Sequence, residues 1–146
     1  MQALSDISNV AHVIQIAVAP VFLLTGVGAI LGVLINRLGR VVDRFRVLER
    51  SVPEASSPAS DAHALEMDIL TQRARMIHWA ISLCTICALL VCVVIGALFV
   101  GSVTGGDLSV AIASLFIGAM LALIAGLLCF LREIALATGS IHVVPH

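Results

Sequence analysis

Three stretches of this chain, residues 13–35, 77–100 and 108–131, contain no Asp, Glu, Lys or Arg. A helix needs roughly 20 apolar residues to cross the hydrocarbon core of a bilayer. At a rise of about 1.5 Å per residue, each stretch reaches about 35 Å, enough to cross with some tilt. Hydrophobic residues make up 60% of the chain and charged residues 12%, where a soluble domain averages about 25% charged. Such a chain has too few polar groups to cover itself in water, so its solvent is partly lipid.

The basic residues decide which way the three spans run. There is no lysine, and seven of the eight arginines lie between Arg37 and Arg75; the eighth is Arg132. Short loops rich in arginine stay on the cytoplasmic side. The segment between spans one and two is therefore expected inside. Residues 101–107, GSVTGGD, carry no basic residue and are expected outside. This puts the N-terminus out and the C-terminus in. No basic region precedes the first apolar run, which reads as a retained helix rather than a cleaved signal. Tyr is absent and Trp79 is the one tryptophan, an expected interfacial anchor for span two.

The segment inside reads as helix rather than loop. Leu38, Val41, Val42, Phe45 and Leu48 form an apolar stripe at helical spacing, with arginines on the other faces. Residues 51–60, SVPEASSPAS, supply the turn. Ser60 or Asp61 is expected to cap the returning helix, whose apolar face is Leu65, Ile69 and Met76. Ser5 or Asp6 is expected to cap helix one, Asp107 helix three, and Gly139 to end helix three. The expected fold is all-α: a single membrane domain over 1–146, three transmembrane helices, with helices one and two extended into a cytoplasmic αα-hairpin over about 36–76. The hairpin projects about 20 Å. Antiparallel register sets Arg44 near Asp68, Arg46 near Glu66 and Asp43 near Arg73. Exposed pairs like these are worth about 0–1 kcal/mol each and choose register more than they stabilise it.

Span one carries a stripe of small and polar residues at alternating steps of four and three: Gln15, Ala19, Phe22, Gly26, Ala29, Val33 and Asn36. Thr25 and the GxxxG pair Gly28 and Gly32 lie beside it. Span three has a four-step ridge, Ser114, Gly118, Ala122 and Gly126. Small residues let membrane helices approach closely, and polar ones find partners across the seam. Such faces pack helices or, in an oligomer, line a pore. Pro20 removes one backbone hydrogen bond beside them. Arg37 and Arg40 stand at the inner membrane edge, where arginines contact anionic headgroups or draw in anions.

Catalytic and metal chemistry have no visible carrier. Cys84 and Cys87 spell CxxC, but no second ligand pair sits at zinc spacing, so they and Cys92 and Cys129 read as small packing residues. His12 shares a face with Gln15, His78 enters span two beside Trp79, and His142 and His146 lie in the tail. A formal net charge of −1 gives no global field for nucleic acid. No acid pair lies in a span, and no glycine loop lies where a phosphate belongs. The reading excludes an enzyme, a cofactor and a metal site.

Residues 19–49 (APVFLLTGVGAILGVLINRLGRVVDRFRVLE), 73–99 (RARMIHWAISLCTICALLVCVVIGALF) and 127–138 (LLCFLREIALAT) together resemble an uncharacterised family of small bacterial membrane proteins, a domain of unknown function. NRLGRVVDR is the most specific of these motifs. The resemblance implies a bacterial inner-membrane helical protein and transfers no site. Two functions remain. One is a homo-oligomeric channel or transport-like protein, since three thin helices cannot enclose a conduit alone. The other is a non-transporting accessory or scaffold subunit whose hairpin docks a cytoplasmic protein partner or anionic lipid.

Overall fold

The computed structural model describes residues 2–50, 58–104 and 108–139. They form three helices: α1 (Gln2–Arg50), α2 (Pro58–Thr104) and α3 (Ser109–Gly139). All three are long and apolar enough to cross a membrane. In their most apolar windows only 17%, 22% and 17% of the residues are buried. Without lipid the remainder would hold apolar side chains in water, at roughly 25 cal/mol per Å².

The helix ends correct several expectations. α1 already includes Ser5 and Asp6, so neither stands at its cap. α2 starts at Pro58, inside the stretch expected to turn, and Ser60 and Asp61 lie within it. Proline is suited to a first helical position, because its φ is preset and the N–H it lacks would find no partner there. The rest of that turn, the Asp107 cap and the tail after Gly139 fall outside the described residues.

The chain divides into two compact units, each drawing on all three helices: Met1–Ile30 with Leu83–Ile124, and Leu31–Ser82 with Ala125–His146. The core of the first unit holds Ala17, Val27, Cys84, Cys87, Val91, Val94, Ala119 and Leu123. Cys84, Cys87, Val91 and Val94 step by three and four, the spacing of a coiled-coil seam. Both cysteines are free and fill core positions as small hydrophobes. Pro20 is buried and borders an apolar crevice of about 590 Å³ with Val13, Ile16, Leu98, Ile112 and Phe116.

In the second unit Leu34, Val41 and Leu48 are buried at seven-residue intervals on α1, opposite Leu70 and Ile77 at the same interval on α2. The α2 face differs from the expected one. Leu65 is 64% exposed, while Ile69 and Met76 are only partly covered. The seam runs through 66, 70, 73 and 77, so positions 65, 69 and 76 flank it by one residue.

Candidate functional site

The seam of the second unit contains a charge. On α3, Gly126 and Glu133 are buried two turns apart and so face the same way. On α1, Arg37 falls between buried Leu34 and Val41; on α2, Arg73 falls between buried Leu70 and Ile77. The three helices thus bring Arg37, Arg73 and Glu133 into one layer with apolar layers on either side. Glu133 has no solvent exposure. Arg37 Nη1 donates to Glu133 Oε2. Arg73 donates to Oε1 through Nε at 3.2 Å and Nη2 at 2.9 Å. The Arg37 guanidinium also lies 5.3 Å from the Phe130 ring centroid, one turn back on α3.

A lone buried carboxylate would cost several kcal/mol in lost hydration, and it stays ionised only when paired and hydrogen-bonded. Here both of its oxygens are engaged, and no buried polar side-chain atom among the described residues lacks a partner. The two arginines keep 28% and 24% of their side-chain surface exposed, so they carry their charge from solvent to the buried acid.

Arg37 and Arg73 also line a cavity of about 290 Å³ together with Arg40, Arg44, Val41 and Leu70. Arg44 is held by Glu66, through Nε at 3.0 Å and Nη2 at 2.7 Å to one oxygen. That pair corrects the expected register: Arg44 meets Glu66 rather than Asp68, a shift of two residues. Arg73 binds Glu133 rather than Asp43, because its seam position turns it toward α3. Asp43, Arg46 and Asp68 are exposed. Arg40 is exposed and makes no ion pair among the described residues.

The small and polar residues are placed differently on the two helices that carry them. In the first unit Gln15, Ala19, Phe22, Thr25, Gly26, Gly28 and Ala29 are exposed, as are Gly32, Val33 and Asn36 in the second. A Cβ added at Gly26, Gly28 or Gly32 would meet nothing within 4 Å. The GxxxG pair therefore packs against no other helix among the described residues. On α3, Ser114 is exposed and its hydroxyl donates to its own helix at Ala111 O. Gly118 and Ala122 are half-buried and Gly126 is buried. A Cβ at Gly118 would touch Leu90 of α2 at 3.8 Å.

Sequence reasoning missed Glu133 and Phe130. The available signal was a carboxylate directly after Arg132 at the end of an uncharged run, a costly place for an acid that lacks a basic partner. No group of three or more His, Cys, Asp or Glu among the described residues is placed to hold a metal.

Helix length, apolar exposure and a buried ion cluster together define a small multi-pass helical membrane protein. The family model for "Protein of unknown function (DUF2721)" matches residues 17–143, and the chain belongs to that family. No curated protein and no solved structure matches it.

Proposed function

We propose that the protein works as a homo-oligomer in a bacterial inner membrane, with α1 of each copy nearest the axis and a channel or transport-like role for the assembly. The observation that carries this reading is the exposed α1 stripe. Gln15 and Asn36 have no hydrogen-bond partner among the described residues, and the glycines between them face open space. An amide facing lipid gains by meeting another amide, and bare glycine faces gain by close helix contact. The arginine bias supports a cytoplasmic hairpin, N-terminus outside and C-terminus inside. Sedimentation of the purified protein in mild detergent tests the proposal: a discrete oligomer is expected, and a monomer at all protein concentrations would sink it. Gly28→Leu with Gly32→Leu is expected to shift that oligomer toward monomer without unfolding the chain.

A second reading is favoured by the arginine-lined cavity. In it the protein is a non-transporting accessory or scaffold subunit whose hairpin docks a cytoplasmic protein partner or anionic lipid. Charge reversal at Arg40, Arg44 and Arg46 together should then abolish docking; unchanged protein and lipid binding would remove this reading.

A further inference from the structure

The cavity between α1 and α2 is lined by four arginines, Arg37, Arg40, Arg44 and Arg73, together with Val41 and Leu70. Two carboxylates are tied into this set, Glu133 to Arg37 and Arg73, and Glu66 to Arg44. Two positive charges are therefore left without an anion. Like charges lining one small cavity repel, and a bound anion removes that repulsion. The carboxylates also hold three of the arginines in place, so little side-chain freedom is lost when an anion binds. Nitrogens remain for it: the described hydrogen bonds leave Arg73 Nη1, Arg44 Nη1 and every nitrogen of Arg40 unused. A volume of about 290 Å³ leaves room for a phosphate group and part of its hydration.

We propose that this pocket binds a phosphate oxyanion, through forked donation from Arg40 and from the free nitrogens of Arg44 and Arg73. Val41 and Leu70 beside the arginines suit a phosphate ester with an apolar body. Arg37 lies two residues beyond the uncharged run 13–35, and Arg73 lies four residues before the run 77–100. The pocket therefore falls at the headgroup level of a bilayer crossed by those runs, where basic pockets between helices take lipid phosphates. The site sharpens the second reading above, yet it lies within one chain and needs neither an oligomer nor a protein partner.

The test uses the full chain in nanodiscs of three kinds: phosphatidylcholine alone, phosphatidylcholine with phosphatidylglycerol, and phosphatidylcholine with millimolar inorganic phosphate. Native mass spectrometry counts retained phosphatidylglycerol and phosphate. Arg40→Gln is the informative variant, because Arg40 has no ion pair to break. Arg46→Gln, exposed and away from the pocket, removes the same charge as a control. The expected result is retained phosphatidylglycerol, weakened roughly tenfold by Arg40→Gln, the loss of one charge-assisted contact, and unchanged by Arg46→Gln. Retained inorganic phosphate with the same discrimination supports the site and assigns it to a soluble phosphate. Retention of neither ligand, or equal weakening by both variants, overturns the proposal. A docked protein lost on triple charge reversal but kept in Arg40→Gln would leave the second reading standing without this site.

Discussion

Glu133 sits where water does not reach it, and two arginines from other helices hold both its oxygens. Removing the acid leaves two guanidiniums in one layer without their shared anion. Breaking a buried pair costs about 3–5 kcal/mol. Both arginines are about a quarter exposed and can regain water, so Glu133→Gln should cost near the low end, about 3 kcal/mol. Titration of the helical signal with denaturing detergent checks this, and a loss below that of an exposed control such as Asp43→Asn would refute it. Phe130→Leu removes only the ring face under Arg37 and should cost about 0.5–1 kcal/mol. At this scale the sequence was half legible. Arg37 and Arg40 were recognisable at the membrane edge by position alone. Glu133 was not, because its meaning depends on two partners 96 and 60 residues away, and no periodicity within α3 reveals them.

The helices carry two faces with one spacing. Along α1, Leu34, Val41 and Leu48 are buried at intervals of seven, while Gln15, Phe22 and Asn36, on the same interval, are exposed. A seven-residue repeat fixes which residues share a face but not which face meets the rest of the chain. The hydrophobic pattern therefore revealed both stripes of α1 and left open which was the core. On α2 the one-residue error at Leu65, Ile69 and Met76 has the same origin: apolar residues occur on adjacent faces, and only the partner helix selects one. The two faces should respond differently to truncation. Leu34→Ala should cost about 2 kcal/mol, the low end for large-to-small changes, since lipid rather than water is the alternative solvent and mainly packing is lost. Phe22, 73% exposed, should change unfolding by no more than about 0.5 kcal/mol when truncated. In the proposed homo-oligomer it should instead lower the apparent mass in detergent. Equal destabilisation by the two substitutions would contradict the buried seam.

For the molecule as a whole, the distribution of arginine and the distribution of buried charge point the same way. All eight arginines belong to the unit built from Leu31–Ser82 and Ala125–His146, and so does the described acid that is fully buried. The other unit has no arginine to set against the membrane potential or the anionic leaflet. An orientation with the arginine-bearing unit inside satisfies the positive-inside bias for all three spans at once. The reverse would place the arginine-rich segment between the first two spans, and Arg132, against that bias. The number of long apolar helices was thus legible from run length, because lipid imposes that length on each helix separately. Pairings between helices were not, because they arise only once the helices meet. The orientation can be checked in cells with the native cysteines replaced by alanine. A cysteine introduced by Ser5→Cys should react with a membrane-impermeant maleimide from the outer side. One introduced by Ser56→Cys should react only after the membrane is opened. If Ser56→Cys labels in sealed cells and Ser5→Cys does not, the arginines lie outside. The proposed headgroup pocket would then face the opposite leaflet.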